Sequence, residues 1–234
     1  MIWLVIGRRE QGKTTLAMSM ALRVPARLIF DPRGMIRPDA PRAETPAELD
    51  EAMDDLFEGR VAEVRFTPRG DVEEGFVAFA TAAAAWVRAD VTRPLAVVVD
   101  EAGFVPRSNR VAPFMWLCRC SRRDTIQIIM TAHRPLDIST SVRAISDHWL
   151  IYPCRQEHDL RVLEERCSES AMRAIARLKD RQFLAWDDAH TTSRLYEDPA
   201  AWYVNLSDPQ PPATSLADTG TPLPPERRSL FDDA

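Results

Sequence analysis

One stretch constrains this chain more than any other: Gly7-Arg8-Arg9-Glu10-Gln11-Gly12-Lys13-Thr14. It fits G-x-x-x-x-G-K-[ST], a loop that works only between a strand and a helix. Both flanks comply. Ile2-Trp3-Leu4-Val5-Ile6 is a short apolar run of the kind that makes a buried strand, and Thr15 to Leu22 reads as a helix. In that setting backbone N–H groups curl around a phosphate at a helix N-terminus, where orphan donors and the helix dipole favour an anion. The expected nucleotide-binding set is Gly7, Arg8, Arg9, Glu10, Gln11, Gly12, Lys13, Thr14 and Thr15. Lys13 is expected to reach the β- and γ-phosphates, and the Thr14 hydroxyl to ligate Mg²⁺.

Composition strengthens the case for Lys13. The chain has 30 basic residues, and only Lys13 and Lys179 are lysines. A sequence so biased towards arginine keeps a lysine here because a planar guanidinium cannot replace a compact ammonium in that nest.

A second signal lies at Leu95-Ala96-Val97-Val98-Val99-Asp100-Glu101. A continuous β-branched run marks a central parallel strand buried on both faces, and ligands bind at the C-terminal ends of such strands. Asp100 is expected to support the Mg²⁺ ion and Glu101 to polarise the attacking water. A third run, Thr125-Ile126-Gln127-Ile128-Ile129-Met130-Thr131, ends in Ala132-His133-Arg134-Pro135, again with polar groups at a strand end.

The remaining elements follow from pattern. Ala26 to Asp31 reads as a strand closed by the turn Asp31-Pro32-Arg33-Gly34. Pro38 to Pro46 reads as a polar connection. Thr45 caps a helix with Pro46 at its first position. Val61 to Phe66 alternates, which predicts a strand with one wet face. Glu73 to Ala89 is helical, its aromatic stripe (Phe76, Phe79, Trp86) assigned to the core. Phe104 to Pro113 is read as a loop, Phe114 to Cys120 as a helix and His148 to Tyr152 as a strand. Helices are expected over 156–166 and 170–181, with late strands at Phe183 to Trp186 and Trp202 to Val204. From Ser207 onward Pro, Ser, Thr and Asp dominate, which reads as a disordered tail. The expected division is a P-loop domain over 1–206 and a tail over 207–234.

At 234 residues and 45% hydrophobic composition, a single domain can bury a sizeable core. The net charge of −5 excludes a globally basic protein, so any nucleic-acid contact must be local. No apolar run is long enough to span a bilayer and no signal peptide is visible, which points to the cytoplasm. Four cysteines suggest no disulfide framework. Cys118-x-Cys120 with Cys154-x-x-x-His158 lacks zinc-ligand spacing, so small buried thiols are expected.

Taken in order, GRREQGKTT, LIFDPRG, LAVVVDEA and SRRDTIQIIMTAHRP resemble the FtsK–HerA superfamily of DNA-pumping ATPases. Within that superfamily the small viral genome-packaging ATPases of tailless, membrane-containing phages are similar in length. The resemblance covers about residues 1 to 186. It implies an α/β, RecA-like P-loop NTPase with a mainly parallel central sheet flanked by helices and late antiparallel strands. It further implies ATP and Mg²⁺ as ligands, Lys13 and Glu101 as catalytic residues, and Thr14 and Asp100 at the metal. The residue after Thr131-Ala132 becomes a γ-phosphate sensor; the family usually has glutamine there, and this sequence has His133. Arg122 and Arg123 both fit the finger supplied to a neighbouring subunit, which requires a homo-oligomeric ring, a hexamer or pentamer. Double-stranded DNA is the implied partner, with Arg107 and Arg110 as DNA-facing candidates and a capsid vertex protein as a tail partner.

Two alternatives carry less. A small-molecule phosphotransferase fits the size, but an adjacent Asp-Glu pair suits hydrolysis and no arginine-rich lid is evident. A non-packaging phage morphogenesis ATPase usually carries a membrane segment, and none is seen.

Overall fold

The structure is a computed structural model, and it describes residues 1–36, 42–105, 111–121, 125–188 and 190–197. Among the described residues nine strands form one sheet: β1 Ile2–Ile6, β2 Arg27–Phe30, β3 Arg42–Ala43, β4 Glu63–Phe66, β5 Leu95–Val99, β6 Ile126–Ala132, β7 His148–Ile151, β8 Phe183–Asp187 and β9 Thr192–Tyr196. Their order is β3-β4-β2-β5-β6-β1-β7-β8-β9. Neighbours are parallel from β3 through β7; β7–β8 and β8–β9 are antiparallel. The α/β class, the mainly parallel sheet and the late antiparallel strands are those the sequence implies.

Seven α-helices among the described residues accompany the sheet: α1 Lys13–Ala21, α2 Pro46–Phe57, α3 Val72–Ala89, α4 Ala112–Cys120, α5 Thr140–Ile145, α6 Glu157–Glu164 and α7 Glu169–Arg177. Their starts are written in the sequence. Thr45 and Glu48 form a reciprocal capping box on α2, and Asp71 accepts from Glu73 N and Glu74 N at the start of α3. No helix among the described residues is long and apolar enough to cross a membrane.

Strand alternation divides the core into two layers. Leu4, Leu28, Val97, Val99 and Ile128 face one side with Leu49, Phe76, Phe79, Trp86, Leu117, Leu163 and Ile175 from the helices. Val5, Ile29, Ala96, Val98 and Ile129 face the other, where Leu16, Ala17 and Met20 of α1 cover them. The aromatic stripe of α3 is core, with Phe76 stacked on Phe79 and edge-on to Phe30.

Three expectations are corrected. The strand at 61–66 has no wet face: all four residues of β4 are buried. Its polar members are paired instead, Glu63 with Arg27 at 2.9 Å and Arg65 within 3.9 Å of Asp31. The proline-rich connection contains β3, whose two residues pair with Arg65 and Phe66. Of the four thiols only Cys118 and Cys167 are buried, each pushed up to about 12 by burial, whereas Cys120 and Cys154 are half-buried. The strand expected at Trp202 to Val204 and the tail from Ser207 lie outside the described residues.

Candidate functional site

Register brings three strand ends to one edge. Val99 is level with Met130, and Ile6 with Ala132, so Gly7, Asp100, Thr131 and His133 emerge side by side where β1, β5 and β6 end. Sheet pairing continues one step past β1, as Gly7 N donates to Ala132 O at 3.1 Å.

The glycine loop is shaped by two residues that only glycine satisfies. Gly12, at φ 92°, is the residue from which α1 starts. A Cβ on Gly7 would lie 2.5 Å from both Gln11 Oε1 and Tyr152 Cβ. Gln11, buried at the loop's centre, accepts from Arg8 N at 2.6 Å and holds the loop closed. Arg8, Arg9, Glu10 and Thr15 are exposed, and Thr14 is half-buried. The first turn of α1 carries no acid of its own, so nothing within the helix neutralises the positive end of its dipole.

Lys13 is 6% exposed, and its Nζ donates to Arg8 O at 2.7 Å. Burial lowers its pKa, an effect that Asp100 and Glu101 oppose. The same Nζ lies 3.3 Å from His133 Nδ1. An ammonium only donates, so this pattern assigns Nδ1 as acceptor and places the imidazole proton on Nε2. Nε2 lies 3.4 Å from Glu101 Oε1 but is not aligned to hydrogen-bond with it.

Asp100 is 6% exposed. Its Oδ1 accepts from Thr14 Oγ1 at 3.0 Å and from Thr131 Oγ1 at 2.7 Å. Thr131 Oγ1 in turn accepts from Glu101 N at 3.0 Å. Glu101 sits at φ 53°, a left-handed conformation that costs a non-glycine residue about 1–3 kcal/mol. A hydroxyl and a carboxylate, with water and phosphate oxygens completing the shell, are the hard donors Mg²⁺ takes. Thr14 and Asp100 therefore fit that ion.

Lys13, Thr14, Asp100, Glu101 and His133, expected to act together, converge at this edge. Arg122, Arg123, Arg107 and Arg110 fall outside the described residues. Sequence reasoning passed over Arg33, whose Nη2 lies 2.8 Å from Glu101 Oε2 and whose guanidinium sits 5.4 Å from the centre of the Phe104 ring. Its place in the Asp31-Pro32-Arg33-Gly34 turn after β2 was the available signal, because β2 and β5 pair and both end at this edge.

Comparison with solved structures finds the same architecture. The genome packaging NTPase B204 of Sulfolobus turreted icosahedral virus 2, in complex with AMPPCP, superposes with a TM-score of 0.67 at 16% identity, over 84% of this chain and 97% of that one. B204, the DNA-packaging ATPase of Sulfolobus turreted icosahedral virus, gives 0.66 at 17% identity over the same shares. At these identities the likeness is one of fold: this chain and B204 share the same α/β architecture. VirB4 of Thermoanaerobacter pseudethanolicus is more distant, at 0.55 and 13% identity over 86% of this chain and 90% of that one. No protein-family model matches the sequence, and no curated protein matches it.

Proposed function

We propose that this protein is an ATP-hydrolysing motor that moves double-stranded DNA into a viral capsid. The observation that carries the reading is the convergence of Lys13, Thr14, Asp100, Glu101 and His133 at one sheet edge. It occurs on a fold that spans 97% of a genome packaging NTPase.

In this reading the loop from Gly7 to Thr15 holds the triphosphate, with Lys13 on the β- and γ-phosphates. Thr14 and Asp100 hold Mg²⁺, which when bound spreads the charge that develops on the phosphate oxygens. Glu101 accepts a proton from water as the water oxygen bonds to the γ-phosphorus and the bond to the ADP oxygen breaks. His133 presents Nε2–H where the usual glutamine presents an amide N–H. Arg122 or Arg123 supplies positive charge to a neighbouring subunit's site, so the active form is a homo-oligomeric ring. Arg107 and Arg110 contact DNA phosphates, which makes binding sequence-independent and salt-sensitive. The segment from Ser207 onward is the candidate contact for a capsid vertex protein.

Lys13→Ala tests the assignment. The wild type is expected to release phosphate from ATP and the variant to release none, and particles assembled without the protein are expected to lack genome. Phosphate passed to a nucleoside or nucleotide, with none set free, contradicts the hydrolytic reading. Genome-filled particles made without the protein contradict the packaging role.

A further inference from the structure

We propose that Arg33 is a latch on Glu101: it occupies the carboxylate and holds back hydrolysis until it releases. The proposal rests on the reading above, in which Glu101 is the general base.

A general base must present a lone pair to the water it activates. One oxygen of Glu101 is engaged and the other is hemmed in. Arg33 Nη2 lies 2.8 Å from Oε2, and His133 Nε2 faces Oε1 at 3.4 Å without a hydrogen bond. The guanidinium is therefore the stronger hold.

The arm is built to be kept in place and also to move. Asp31, fully buried, accepts from Met35 N at 3.0 Å and Ile36 N at 2.8 Å, which fixes the turn that carries Arg33. Gly34 completes that turn at φ 64° and donates to Asp31 O at 3.1 Å. The Arg33 side chain itself is 38% exposed, whereas that of Glu101 is 16% exposed. Its second contact is the ring of Phe104, a 37% exposed aromatic in the short 3-10 turn that follows Glu101 directly. A guanidinium gains from an aromatic face independently of its carboxylate, so Phe104 offers a resting place when the ion pair opens. Arg33 is thus a positioning residue that acts through Glu101.

Steady-state kinetics on the full-length protein without DNA tests this, using wild type, Arg33→Ala, Arg33→Lys, Glu101→Gln and the Arg33→Ala/Glu101→Gln double variant. Arg33→Ala is expected to raise kcat by roughly three- to tenfold with KM for ATP unchanged, the modest size reflecting a partly exposed pair. Arg33→Lys keeps a charge beside Glu101 and is expected to return kcat towards wild type. The double variant is expected to be as inactive as Glu101→Gln. An active wild type whose Arg33→Ala variant has an equal or lower kcat, or only an altered KM, overturns the latch alone. A wild type without ATP turnover, or a Glu101→Gln variant that keeps it, overturns the hydrolytic reading and the latch with it.

Discussion

Thr131 Oγ1 donates to Asp100 Oδ1 at 2.7 Å across the boundary between β6 and β5, and the same oxygen accepts from Glu101 N at 3.0 Å. One buried hydroxyl thus fixes the expected metal carboxylate and the backbone of the expected base. Thr131→Val keeps the shape and removes both bonds, leaving part of a buried carboxylate unpaired at a cost of about 1–3 kcal/mol. The variant is expected to lose stability by that amount in urea denaturation and to lose most ATP turnover, with Thr131→Ser restoring both.

Lys13 behaves differently. Burial disfavours its charge, and that lowers its pKa despite Asp100 and Glu101. Lys13→Met removes a charge the fold does not favour. Its thermal midpoint is therefore expected to equal or exceed that of wild type, while nucleotide binding disappears. Differential scanning fluorimetry with and without ATP checks both halves: ATP raises the wild-type midpoint and leaves the variant's unmoved.

Gly7 is held by space, not by torsion. An added Cβ meets Gln11 Oε1 and Tyr152 Cβ at 2.5 Å, and the Tyr152 Cβ cannot swing aside. Gly7→Ala is expected to cost about 1–3 kcal/mol through overpacking. It should also displace Gln11 from Arg8 N, so KM for ATP rises along with the loss of stability.

His148 gives the fold a dependence on acid. It stacks on Trp3 with ring centroids 4.0 Å apart, and burial lowers its pKa, opposed by Asp187 and Asp147. Between that lowered value and the ordinary value of about 6.5, the unfolded chain binds more protons than the folded one. Stability therefore rises with pH through this window and falls as the solution is acidified. Thermal midpoints measured from about pH 7 down to about pH 5 are expected to drop. His148→Phe, which keeps the stacking without the titration, is expected to flatten the slope.

Much of this was legible in the sequence because the information is local. The loop from Gly7 to Thr14 carries its own strand and helix, and β5 and β6 are apolar runs that end in polar groups. The capping box at Thr45 and Glu48 is likewise a short-range signal. What escaped depends on pairing between distant segments. Glu63 and Arg65 look like a wet face until the pairing of β2 with β4 brings Arg27 and Asp31 against them. β9, with Thr192, Ser193 and Arg194, has little apolar pattern and becomes a strand by pairing with β8. Arg33 reads as part of a turn, and its approach to Glu101 follows only from β2 lying beside β5.

Steady-state ATP turnover with and without duplex DNA, measured on wild type and Glu101→Gln, tests the motor reading most directly. The account predicts that duplex DNA raises wild-type kcat, that the rise fades as salt increases, and that Glu101→Gln binds ATP but releases no phosphate in either condition. A wild-type rate that duplex DNA leaves unchanged at every salt concentration contradicts it.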